Sequence, residues 1–84
     1  MGVRVNPSRI RFEMARRGLS GNELARLAHV SPATVSMAVN GREVAAGTLA
    51  KLAIGLSRAD PVPGLGELLD VPAGLVAAGD QVVL

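Results

Sequence analysis

The chain has 84 residues with nine basic and seven acidic side chains, one His, no Cys and a single aromatic residue, Phe12. That length gives one small domain burying about 60% of its unfolded surface, and the composition excludes disulfides, thiolate zinc sites and the aromatic stacking platforms of single-strand binders. All nine basic residues lie in residues 1–58 beside only Glu13, Glu23 and Glu43, a charge of +6, whereas residues 59–84 carry Asp60, Glu67, Asp70 and Asp80, a charge of −4.

Asn6-Pro7 supplies an N-cap and a first-turn proline, and Ile10, Met14 and Arg17 follow at helical spacing until Gly18, which predicts a first helix over 7–17. Ser20 with Glu23 forms a capping box, and Leu24, Ala25, Leu27 and Ala28 form the apolar stripe of a second helix over 20–28. After His29 and Val30, Ser31 caps and Pro32 opens a third helix that turns Val35, Ala38 and Val39 inward and stops at Asn40-Gly41. Leu49, Leu52, Ala53 and Leu56 place a fourth helix over the others, with Ala45 at a cap position that offers no side-chain acceptor. From Asp60 the pattern breaks at Pro61, Pro63, Pro72 and Gly74. Leu65, Leu68 and Leu69 suit a single turn, and Gln81-Val82-Val83-Leu84 is β-prone.

Two short helices on a tight turn, the second opened by proline, form a unit that lays one helix in the major groove while the other braces it against the backbone. The geometry needs a small residue at Ala25, apolar anchors at Val30 and Val35, and a cap at Ser31, and each is present. The run Ile10-Arg11, Arg17-Gly18-Leu19-Ser20, Glu23-Leu24-Ala25, Val30-Ser31-Pro32-Ala33-Thr34-Val35-Ser36 and Asn40-Gly41-Arg42 resembles the phage Cro and repressor (XRE) helix-turn-helix family. A second resemblance, to the lactose-repressor headpiece, rests on Glu23 to Ala28, Val30 to Val35, Ser36, Asn40 and Gly41, but the full helix before Ser20 favours the Cro-like reading. The resemblance implies an all-α, lambda-repressor-like domain of four to five helices over 1–58, followed by an irregular or short-strand tail over 59–84. It further implies a transcription regulator, a small phage or prophage repressor binding an operator in double-stranded DNA as a homodimer, in the cytoplasm of a bacterial host.

Mapped from the family, Pro32, Ala33, Thr34, Ser36 and Met37 face the bases. None can pair bidentately with a base edge, so readout rests on the Ser36 hydroxyl and on methyl packing by Ala33, Thr34 and Met37. Ser20, Gly21, Asn22, Ser31, Asn40, Gly41, Arg42 and Arg11 are expected at phosphates. Arg4 and Arg9 are expected to form an arm that reaches the minor groove. Three departures from the family stand out: Gly21 replaces a Gln that touches the backbone, His29 replaces a turn Gly, and Met14 and Val39 replace an Arg–Glu pair.

The single His29 has no Ser or carboxylate at catalytic spacing and no second ligand nearby, so no enzyme, metal or cofactor is expected. No apolar run reaches the ~20 residues of a membrane span, and the charged N-terminus, with Arg4, Arg9 and Arg11, is unlike a signal peptide. The apolar tail residues Leu65, Leu68, Leu69, Leu75, Val76, Val82, Val83 and Leu84 are open to three uses. They complete the core, they join two copies, or they bind a protein partner as in an antitoxin or anti-repressor.

Overall fold

The computed structural model describes residues 2–69. In chain order the elements are β1 (Gly2–Arg4), α1 (Pro7–Arg16), α2 (Gly21–Ala28), α3 (Pro32–Val39), β2 (Glu43–Ala45) and α4 (Ala46–Ser57), with a 3₁₀ turn over Gly66–Leu68. The local signals act as the sequence predicts. Asn6 Oδ1 accepts from the Arg9 amide at 3.1 Å, and both halves of the Ser20–Glu23 capping box form. Gly18 takes the left-handed conformation that ends α1, with φ +66°, one residue earlier than expected because Arg17 is already the cap.

The core consists of Ile10, Met14, Leu24, Ala25, Ala28, Val35, Ala38, Val44 and Leu52, with Val3, Val5, Leu19, Val30, Val39 and Leu56 packed around it. Helix α4 sits across α2 so closely that a Cβ on Gly55 would lie 2.7 Å from Ala28 Cβ and 3.0 Å from the Ala28 backbone. With this crossing only part of the stripe that the sequence suggests faces inward. Leu52 and Gly55 are buried, Leu56 is half-buried, and Leu49 and Ala53 are exposed. In α2 the same close approach buries Leu24, Ala25 and Ala28 and leaves Leu27 half-buried.

Two short strands have no counterpart in the sequence pattern. β1 pairs antiparallel with β2, Val3 opposite Val44 and Arg4 opposite Glu43. Three residues each are too few to stand alone. Val44 is buried against the helices, and that packing holds the pair in place. The N-terminal segment with Arg4, expected as an arm, is thus a strand over Gly2–Arg4 in this pair, and Arg9 lies in α1.

Guanidinium groups tie the helix ends together. Arg58 Nη1 donates to Leu27 O at 2.8 Å, and Arg11 Nε to Val39 O at 2.9 Å. Arg17 Nε donates to Leu56 O at 3.0 Å and to Ala59 O at 2.9 Å. The C-terminal ends of α2, α3 and α4, where carbonyls lack intrahelical donors, each receive a cation from elsewhere in the chain. Glu13 holds Arg17 in position, accepting from its Nη1, and also accepts from Arg16 Nε at 2.8 Å. Burial of the Glu13 carboxylate acts to raise its pKa, but the hydrogen bonds and charges of Arg17 and Arg16 together outweigh it and hold it below the usual glutamate value.

Residues 58–69 run from the end of α4 back along α1: the Val62 amide donates to Arg16 O at 2.9 Å, and Gly66 lies beside Arg16. Of the apolar tail residues, Leu65 and Leu69 are half-buried and Leu68 is 83% exposed, while Leu75, Val76, Val82, Val83 and Leu84 lie outside the described residues.

Two expectations follow for stability. Gly55→Ala forces α4 off α2 and is expected to cost about 1–3 kcal/mol, read as a lower thermal midpoint. Glu13→Gln is expected to cost about 1–2 kcal/mol at neutral pH, the scale of a hydrogen-bonded charge. Because the folded-state pKa of Glu13 is depressed, its contribution is complete above the glutamate value of 4.5 and fades as pH falls through the lower folded value. The stability gap between parent and Glu13→Gln, followed by denaturant unfolding, should therefore narrow below about pH 4.5.

Candidate nucleic-acid interface

The candidate interface comprises the first turns of α2 and α3 and the turn between them. His29 caps α2 in the left-handed region at φ 58°, ψ 44°, and the Val30 amide returns to Ala25 O at 3.0 Å. That conformation costs a non-glycine residue about 1 kcal/mol. It swings the chain so that Ser31 begins α3 two residues later. Ser31 Oγ accepts from the Thr34 amide at 3.2 Å and lies 2.9 Å from Thr34 Oγ1, so the half-buried Thr34 hydroxyl is part of the cap.

Capping decides which backbone donors stay open. Ser20 Oγ accepts from the Glu23 amide at 3.1 Å, and the Glu23 carboxylate accepts from the Ser20 amide at 2.9 Å. The bond from the Ser20 amide to the carboxylate, with help from the Ser20 hydroxyl, holds the Glu23 pKa below its usual value. The amides of Gly21 and Asn22 in α2 and of Ala33 in α3 precede the hydrogen-bonded part of their helices and point outward at positive helix ends. Asn22, Pro32, Ala33 and Ser36 are exposed and Met37 is 40% exposed.

A cleft between α1, α2 and α3 joins several of the residues singled out in the sequence. Arg11, Gly21, Asn22, Pro32 and Ser36 line it above a floor of Met14, Val35 and Val39. Met14 and Val39 thus meet in the cleft and give it an apolar floor. Thr34 and Met37 open on the other side, toward Glu43, Ala45 and Thr48. Glu43 and Thr48 were not singled out beforehand. The signal that places them is the β1–β2 pairing and the turn into α4, which no local pattern announces.

At the far end of α3 the residues proposed for phosphate are largely engaged within the fold. Asn40 Oδ1 accepts from Arg11 Nη2 at 3.2 Å, and its Nδ2 donates to Ser36 O at 2.8 Å. The Gly41 amide donates to Ala38 O at 3.2 Å, with Gly41 at φ 76°. Asn40 and Gly41 therefore act as the end of the helix, and Asn40 also steadies Arg11 against it. Arg42 is exposed and its side chain makes no hydrogen bond or ion pair among the described residues. Arg4 and Arg9 stand elsewhere, on a groove between α1 and α4.

The helix-turn-helix family matches residues 10–58. The chain belongs to the XRE-type helix-turn-helix family. No curated protein and no solved structure matches it. Family membership makes it a DNA-binding regulator of transcription. Among the described residues no helix is long and apolar enough to cross a membrane, and no group of His, Cys, Asp and Glu is placed to hold a metal ion.

The left-handed turn gives a direct test of how this unit is held. His29→Gly removes the Cβ penalty at φ 58° and is expected to raise stability by about 0.5–1 kcal/mol, less than the full penalty because Gly is freer in the unfolded chain. His29→Val is expected to lower it, and thermal unfolding of the two variants reads both directions.

Proposed function

We propose that the chain is a sequence-specific repressor of the small phage or prophage Cro-like kind, binding an operator as a homodimer with α3 in the major groove. One observation carries the reading. The open amides of Gly21, Asn22 and Ala33 and the exposed side chains of Pro32, Ala33 and Ser36 sit at the adjoining first turns of two helices whose geometry is fixed by caps. In the major groove the amides meet phosphates on the flanking backbone while the start of α3 meets base edges. Arg42, just beyond α3 and exposed, with no side-chain partner among the described residues, adds a phosphate contact.

The reading chemistry is spare. Ser36 Oγ stands 3.4 Å from Asn40 Nδ2 and keeps its own proton for a base acceptor, and Ala33 and Met37 offer methyl groups to thymine. With no bidentate pair in reach, one half-site discriminates weakly. A two-fold dimer doubles both the phosphate contacts and the base readout, which supports the homodimer and a palindromic site with half-site centres about 34 Å apart.

The test is sequencing of random duplex fragments retained by the protein at near-physiological salt, repeated with Arg42→Ala. A recurring palindrome is expected, and Arg42→Ala should weaken every retained site by a similar factor while reducing the salt-dependence slope by about 1. Retention without sequence preference would overturn the operator reading. A loss confined to some sequences would make Arg42 a base reader.

A further inference from the structure

We infer that the groove between α1 and α4 is the docking site for residues 70–84 of the same chain. The groove encloses about 270 Å³ over a floor of Val5, Ile10, Leu49, Leu52, Ala53 and Leu56. It exists because the close crossing at Gly55 rotates α4 toward α2, leaving Leu49 37% exposed and Ala53 exposed beside α1. Leaving such an apolar surface to water is unfavourable by about 25 cal/mol per Å².

Three observations name the occupant. The first is position: the chain leaving α4 turns back along α1 through the Val62–Arg16 hydrogen bond and brings Gly66 beside Arg16, which is bonded to Glu13 on the groove's rim. The second is reach. Five residues separate Leu69 from Leu75, and those six steps span about 20 Å when extended, while the sequence continues to Leu84. A segment tethered at that range competes at an effective concentration of order millimolar, which favours it over a second copy of the chain.

The third is complementary chemistry. Arg4 and Arg9 stand on the groove's rim without a side-chain hydrogen bond or ion pair among the described residues. Residues 70–84 carry Asp70 and Asp80, no cationic side chain, and the apolar residues Val71, Leu75, Val76, Val82, Val83 and Leu84. Leu75 and Val76 meet the floor while the carboxylates meet the guanidiniums. Bound there, the segment neutralises Arg4 and Arg9, two cations on the side of the domain away from the α2–α3 cleft.

The absence of Cys makes the test clean, because Ala78→Cys gives the full chain a single attachment point for a nitroxide. In isotope-labelled protein, the amide signals of Arg9, Leu49 and Ala53 are expected to lose the most intensity, and those of Asn22 and Ala33 the least. An equal mixture of isotope-labelled protein without the nitroxide and nitroxide-labelled protein without isotope is expected to show no loss. Adding Leu75→Asp should restore the groove signals, and without any nitroxide the same change should shift the groove amides while leaving those of Asn22 and Ala33 in place. Intensity loss that spares the groove, or that is unaffected by Leu75→Asp, overturns the proposal. Loss in the mixture overturns it too, and gives the groove to a second copy.

Discussion

The crossing of α2 and α4 at Ala28 and Gly55 sets the geometry on which the rest of the domain depends. A contact this close leaves no room for a side chain on Gly55, so the angle and depth of α4 are decided by backbone against backbone. From it follow the burial of Leu24, Ala25 and Ala28, the orientation of α2, and through the short turn at His29 the placement of α3. The same contact exposes Leu49 and Ala53 and so creates the groove against α1.

Arginine does in this domain much of what larger side chains do in others. With one aromatic residue the core is made of small and medium aliphatic groups, and guanidinium bonds to the ends of α2, α3 and α4 brace what that core holds weakly. The arrangement changes the meaning of the charge count. Arg11, Arg16, Arg17 and Arg58 have partners inside the fold, and Arg17 is largely buried, so the +6 of residues 1–58 overstates the charge free to meet phosphate. Arg42 and the open amides at the helix starts are the better measure of what that face offers an anion.

Rigidity at the interface has the same origin. Ser20 and Ser31 fix the first turns of α2 and α3, His29 fixes the turn between them, and Asn40 links Arg11 to the last turn of α3. Each is a short-range bond, and together they hold the outward amides in a set direction before any ligand arrives. A surface organised in advance loses less conformational entropy on binding.

What the sequence determined by itself was local. The four helices, their caps at Asn6, Ser20 and Ser31, the stops at Gly18 and Gly41 and the start of α3 at Pro32 rest on hydrogen bonds within a few residues, and those patterns are legible in order along the chain. Tertiary structure decided the rest, because it depends on which distant atoms meet. The β1–β2 pair is held by Val44, buried under the helices, and it places Arg4 in a strand opposite Glu43. The inward face of α4 joins Gly55 to Leu52 and Leu56 and leaves Leu49 and Ala53 outside, since the closest approach is set by the residue without a side chain. Arg17, Arg58 and Asn40 become internal ties because helix ends from other parts of the chain come within their reach, and no spacing in the sequence records that distance.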